Sequence, residues 1–168
     1  GSAGRHVFSL PVHALYGHSL PETPIMKKTL TALAASAALL MLANPAHAAE
    51  HVVKMLNNGK EGGMVFEPAY LKVDVGDTVI FEPTNSGHQV RSLAEGITPW
   101  KSELDKPFTL KVDKEGLYFY DCPPHLMMAM IGIIQAGKAT NREAVEKAFK
   151  ANRGRMMMNG KRADKLLE

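Results

Sequence analysis

A single cysteine, Cys122, occurs in the 168 residues. No disulfide can close within the chain, and neither a Cys-only zinc site nor a thiolate-held iron–sulfur cluster can be assembled from it. The thiol acts alone or with ligands of another type. Charge of one sign is also scarce: 20 Lys and Arg face 17 Asp and Glu, a formal net of +3, and so slight an excess is no footprint for nucleic acid. No apolar run reaches the ~20 residues that a membrane-crossing helix needs. The length suits one compact domain plus a tail and excludes a large multidomain enzyme.

Methionine first appears at position 26, followed by Lys27, Lys28 and the apolar run Leu30 to Leu42, which ends in Ala-Asn-Pro-Ala-His-Ala-Ala. This order of charge, apolar run and small residues predicts a secretory signal peptide over residues 26–48, cut after Ala48. Residues 1–25 carry no periodic pattern and read as an upstream extension outside the fold. The remainder divides by charge: residues 49–137 hold 8 Lys/Arg and 12 Asp/Glu, residues 138–168 hold 9 and 4. Positive charge therefore gathers in the tail.

The front part reads as short strands, over His51 to Leu56, Tyr70 to Val73, Thr78 to Glu82, Gln89 to Ser92, Phe108 to Val112, Gly116 to Tyr120 and Met130 to Gln135. Turn signals separate them at Asn57-Asn58-Gly59, Val75-Gly76-Asp77, Asn85-Ser86-Gly87 and Lys114-Glu115-Gly116. Regular short strands with this punctuation predict a mainly β protein, an antiparallel sandwich or barrel. Residues 141–150 and 160–167 read as helices. Thr140 or Asn141 would cap the first, with Ala144, Val145, Ala148 and Phe149 as its apolar stripe.

Chemistry concentrates in Tyr120-Asp121-Cys122-Pro123-Pro124-His125-Leu126-Met127-Met128-Ala129-Met130, which sets a thiol, an imidazole and thioethers at the mouth between two strands. His88 lies upstream in the turn Asn85-Ser86-Gly87-His88, and a sandwich can bring the two loops together. Two imidazoles, one thiolate and one thioether form the ligand set of a blue-copper electron-transfer site. A buried filler role for Cys122 leaves a thiol unprotected in an exported protein. A Cys/His hydrolase pair gives the methionines no task and comes with no oxyanion hole. Zinc accepts Cys and His but rarely a thioether. His47 and His51, and His6, His13 and His18 in the leader, read as ordinary polar residues.

Residues 49–168 resemble the cupredoxin family of small blue copper proteins. The residues that carry the likeness are Met55-Leu56-Asn57, Gly63 to Ala69, Leu71-Lys72-Val73, Gly76-Asp77-Thr78, Gly87-His88, and Cys122 to Met130 with its His three and its Met eight places beyond the Cys. The resemblance implies a Greek-key β-sandwich over residues 49–137, with a helical extension over 138–168 packed on it. It implies one type 1 copper held by equatorial His88, Cys122 and His125 and axial Met130, with Met128 the competing axial candidate. It further implies a periplasmic, monomeric electron carrier that is not itself an enzyme. Larger redox proteins, such as a copper nitrite reductase or nitrous-oxide reductase, would be its partners, with no nucleic acid and no membrane span after signal cleavage. The alternative is a copper-binding or copper-delivery protein that uses Met127, Met128, Met130 and Met156 to Met158 as soft Cu(I) sites.

Several positions depart from the family pattern. Gln89 follows the first ligand His in place of Asn, and Pro123 follows the Cys in place of Thr, which removes a hydroxyl and a backbone donor. Asn58, Ser86 and Asp121 stand where relatives tend to place lysines beside the site, so a depleted basic ring is expected. Docking would then rely on an apolar patch of Met64, Pro124, Leu126 and Met127.

Overall fold

The computed structural model describes Gly1 and residues 48–168. The expected signal peptide except Ala48, most of the 1–25 extension, and His6, His13, His18 and His47 lie outside the described residues. Eight strands form: β1 (Glu50–Gly59), β2 (Gly62–Glu67), β3 (Tyr70–Val73), β4 (Thr78–Pro83), β5 (Arg91–Ser92), β6 (Phe108–Lys111), β7 (Gly116–Asp121) and β8 (Ile131–Ala136). A 3-10 helix spans Pro123–Met128, and two α-helices follow, α1 (Arg142–Arg153) and α2 (Gly160–Lys165).

Two four-stranded sheets, in the orders β2-β1-β4-β6 and β3-β8-β7-β5, make a β-sandwich. Alternation dictates what lies between them. From β1 come Val53 and Met55, from β4 Val79 and Phe81, and from β7 Tyr118 and Tyr120, all buried in one core with Cys122, Met130 and Ile134. The opposite parity of β7 and β8, Leu117, Phe119, Ile131 and Ile133, builds a second core with Val145 and Phe149 of α1 and with Ala163 of α2. Helices cover one face of this sheet, so β7 has no exposed side chain. The parity that sends Tyr118 and Tyr120 inward also carries Cys122 to the inner end of the sandwich. At Gly132, opposite Tyr120 in the ladder, an added Cβ would come within 2.4 Å of the tyrosine ring, so that place admits no side chain.

The structure corrects several local expectations. The pairings are not all antiparallel: β1 runs parallel to β4, and β3 to β8. Asn57-Asn58-Gly59 does not reverse the chain but continues β1, which turns beyond it to pair Gly59 with Gly62. β2 has no counterpart among the strands read from the sequence, because two glycines followed by the consecutive apolar Met64, Val65 and Phe66 show no alternation. Asn141 stands at the N-cap of α1 without capping it through its side chain. Its amide instead makes a reciprocal pair with Leu117, accepting from the backbone N–H (2.7 Å) and donating to the carbonyl (2.9 Å), which pins α1 to β7. Far from these helices, Asp77 accepts from His51 Nε2 (2.8 Å) and from the N–H groups of Ala49 (2.8 Å) and Asp74 (3.0 Å). The His51 bond first, and the two backbone donors next, lower its pKa to about 2.

Candidate metal centre

His88 comes from the β4–β5 connection, Cys122 from the end of β7, and His125 from the 3-10 helix that Pro123 and Pro124 open. Their ligand atoms lie within 4.8 Å of one another. Cys122 Sγ is 3.8 Å from His88 Nδ1 and 3.4 Å from His125 Nδ1. His88 and Cys122 are fully buried, whereas His125 is partly open to solvent. The cluster therefore sits just beneath the surface, with a single imidazole edge facing out.

The His88 ring is held from behind, and both ligand loops are held through their backbones. His88 Nε2 bonds Asn57 Oδ1 at 2.8 Å. With the imidazole neutral and donating there, the Nδ1 lone pair turns toward the sulfur. The Asp105 carboxylate accepts from the N–H groups of Gly87 (2.6 Å) and His88 (3.1 Å), and the Asp105 N–H donates to the His88 carbonyl (2.9 Å). Asp105 has φ +58°, a conformation that Asn and Asp tolerate better than other residues with a Cβ. On the other side, the His125 N–H donates to the Cys122 carbonyl (2.9 Å), and the Cys122 N–H to the Met130 carbonyl (3.0 Å).

Burial dominates the protonation of the group. It lowers the pKa of His88, assisted by the neighbouring His125, and lowers that of His125. Both imidazoles are thus neutral near pH 7, with lone pairs free to ligate. Burial also pushes the Cys122 thiol up to about 11, although the backbone N–H groups of Gln89 and His125 pull the other way. The bare thiol keeps its proton, and a cation entering the cluster would take that proton's place. Two neutral imidazoles beside one displaceable thiol proton suit a soft or borderline transition metal, so the donor set fits copper.

Met130 is fully buried and packs in the core that contains Cys122. Its N–H donates to the His125 carbonyl (3.3 Å), which joins it to a second member of the cluster. Met128 is half-buried, and its carbonyl is engaged by the tail residues Asn159 and Arg162. Met156 is buried in the helix–sheet core, while Met127, Met157 and Met158 are exposed. The Met158 N–H donates to the Met127 carbonyl (2.9 Å), so the α1–α2 connection lies against the 3-10 helix.

Two near-site expectations change. Asp121 is fully buried rather than part of a docking ring, and Arg91 grips it through Nε (3.1 Å) and Nη2 (2.6 Å). Burial raises its pKa while the Arg91 bonds oppose that rise. Leu126 is buried in the second core and cannot belong to a surface patch. Gln89, which follows the first ligand His, donates its Nε2 to the Ser102 carbonyl (2.7 Å). Asn57, as a ring-holder, and Asp105 were not anticipated, and the left-handed-tolerant Asp105 between Leu104 and Lys106 was the one available signal.

Residues 53–137 match the model of a family described as copper binding proteins, plastocyanin/azurin family. The chain is 42% identical over 135 residues to pseudoazurin of Paracoccus pantotrophus, a match covering 77% of this chain and 93% of that protein. The crystal structure of pseudoazurin from Methylobacterium extorquens AM1 aligns with TM-score 0.60 at 35% identity, over 70% of this chain and 96% of the other. Native pseudoazurin from Hyphomicrobium denitrificans aligns with TM-score 0.56 at 39% identity, over 58% and 83% respectively.

Proposed function

Since the chain belongs to the plastocyanin/azurin family of copper-binding proteins, we propose that it carries single electrons through one copper ion held by His88, Cys122, His125 and Met130. The observation that carries this reading is the approach of the three His and Cys ligand atoms to within 4.8 Å in a buried setting. Bound copper would supply a one-electron couple, imidazole suiting Cu(II) and the sulfur ligands suiting Cu(I). The chain's own part is positional. Asn57 and Asp105 hold the His88 ring and its backbone, the hydrogen-bonded loop from Cys122 to Met130 holds the other donors, and the surrounding aromatic core keeps water away. A site fixed in this manner rearranges little between oxidation states, which is what fast electron transfer requires.

The exposed edge of His125 is the natural exit for the electron. Exposed Pro124 and Met127, half-buried Met64, and Met158 beside Met127 supply an apolar surface around it. A small apolar contact suits a transient redox encounter. By family likeness the partners are larger redox proteins, such as a copper nitrite reductase or nitrous-oxide reductase, and the protein is a monomeric carrier rather than an enzyme. The Lys-Lys, apolar and small-residue order over residues 26–48 supports export to the periplasm as a signal peptide. No helix among the described residues is long and apolar enough to cross a membrane.

The decisive measurement is the optical spectrum of the Cu(II)-loaded protein. An intense visible thiolate-to-copper band, lost in Cys122→Ser while that variant keeps its fold, is the expected result. A serine variant that retains the band would refute the ligand assignment, and a wild type that holds colourless Cu(I) alone would favour copper delivery.

A further inference from the structure

Arg162, on α2, donates to five backbone carbonyls. Nη1 reaches those of Glu61 (3.2 Å) and Gly63 (3.1 Å), and Nη2 reaches those of Met64 (3.0 Å), Met128 (2.8 Å) and Ala129 (3.2 Å). No carboxylate among the described residues forms an ion pair with it. A half-buried guanidinium is ordinarily paired with an acid, because carbonyl dipoles compensate a desolvated charge less fully. Here the fold turns both terminal nitrogens onto peptide carbonyls instead, the two Nη2 hydrogens being shared among three of them.

Those peptide groups are unusual. Met64 (φ +51°) and Ala129 (φ +56°) are both left-handed without being glycine. So is Asn159 (φ +56°), which precedes α2 and donates its Nδ2 to the same Met128 carbonyl (3.2 Å). Met64 and Ala129 resist this conformation, and the carbonyls of both are held by the one guanidinium, while Asn159, which tolerates it, shares the Met128 carbonyl with that group. An added Cβ at Gly62 would stand 3.6 Å from Nη1. The side chain therefore runs directly against the β1–β2 turn and ties it to the end of the 3-10 helix.

Ala129 immediately precedes Met130, whose own N–H and carbonyl are bonded to His125 and Cys122. Fixing the Met128 and Ala129 peptides consequently fixes the direction in which Met130 enters the core. We propose that Arg162 is a positioning residue for the candidate metal centre, which binds the β1–β2 turn to the Met128–Ala129 peptides and so holds Met130 beside Cys122. This rests on the copper-carrier reading for its spectroscopic readout, and on the hydrogen-bond geometry alone for its metal-free readout.

The test uses the full chain with Arg162→Gln, Arg162→Lys and, as control, Arg153→Gln. The glutamine amide offers too few donors to span both segments, and lysine keeps the charge but gathers its donors at one point. Arg153→Gln removes the two bonds from Arg153 to Asp164 (2.6 and 3.0 Å), another tether of α2, without altering the Arg162 side chain or its acceptors. In metal-free protein, amide exchange followed by NMR should be at least about tenfold faster at Ala129, Met130 and Met64 in Arg162→Gln than in wild type. Arg162→Lys should fall between them, and the control should leave these amides unchanged.

After Cu(II) loading, the shape of the visible band and the reduction potential should shift in both Arg162 variants and not in the control. Should Arg162→Gln fail to fold, Arg162→Lys against the control decides the matter. Faster exchange spread evenly over the core, with band and potential unchanged, would overturn the proposal and leave Arg162 a general structural residue. A wild type without an intense visible band would refute the copper reading instead, and the metal-free exchange would still decide whether the clamp exists.

Discussion

Replacing Asp105 by Asn, Gly and Ala separates the two things that this residue does behind His88. Its carboxylate accepts two backbone N–H bonds, and its own backbone stands at φ +58°. Because the side chain is exposed, each bond contributes the ordinary net ~1 kcal/mol and not the larger value of a buried charge-assisted bond. Glycine removes both bonds but suits the left-handed backbone, for a net loss of about 2 kcal/mol. Alanine removes both and adds the left-handed penalty of ~1 kcal/mol, for about 3 kcal/mol in all. Asparagine keeps an uncharged acceptor and tolerates the backbone, so about 1 kcal/mol is expected. Urea denaturation of the metal-free protein reads these differences directly, since ~2 kcal/mol moves the midpoint by roughly 1–2 M. Equal losses for Gly and Ala would show that the backbone conformation is not under strain. A loss for Asn as large as that for Ala would show that an uncharged acceptor cannot replace the carboxylate, and a negligible loss for both Gly and Ala would show that the carboxylate is not the clamp.

Met130→Gln should lower the reduction potential by substituting an oxygen donor for a thioether, while Met128→Gln should change it little; voltammetry giving the reverse order would transfer the axial role to Met128. The folded Asp77 carboxyl lies at about 2 against an ordinary 3.8, so its stabilising contribution is complete above the ordinary value and is lost as pH falls through the folded one. Thermal melts between those two pH values should therefore show a steep loss that Asp77→Asn flattens, and an unchanged slope in the variant would place the acid sensitivity elsewhere. Stopped-flow electron transfer to a copper nitrite reductase should slow by less than about threefold as salt rises from roughly 0.05 to 0.3 M, because few charges ring the apolar patch. A steep decline removed by neutralising Lys150 and Arg155 would assign docking to the tail.

The parts legible in the sequence were those whose signal is local. Tyr70–Val73 alternates and is bounded by turn residues, and it forms a strand over that span. Cys122-Pro-Pro-His125 sets its two donors three apart, and Asn85-Ser86-Gly87-His88 marks a turn, so the gathering of these residues at one end was readable from spacing and a sandwich alone. β2 was hidden because its two glycines and the consecutive apolar Met64, Val65 and Phe66 lack the alternation that identifies a strand. Asn57, Asp105 and Arg162 were hidden for another reason. They act on a ring nitrogen, on backbone amides and on backbone carbonyls, and nothing in the identity of a distant Asn, Asp or Arg reveals which peptide groups will face it. Asp121 misled similarly: an acid beside a metal-ligand candidate reads as surface charge until Arg91 is seen to bury it.

The parallel pairings of β1 with β4 and of β3 with β8 bear on how the chain reaches this state. Each joins segments far apart in sequence, as Tyr70 with Ile133, and large loops must close before those ladders yield any bond, which slows folding. During that interval Cys122 has neither its aromatic shelter nor its imidazole neighbours. With no second cysteine to trap it within the chain, an early oxidation ends in a cross-linked pair of molecules or in an oxyacid of sulfur. The fraction of molecules that keep a usable thiol is therefore decided by a race between sheet closure and oxidant, and a variant of undiminished equilibrium stability that folds more slowly would be lost in that race.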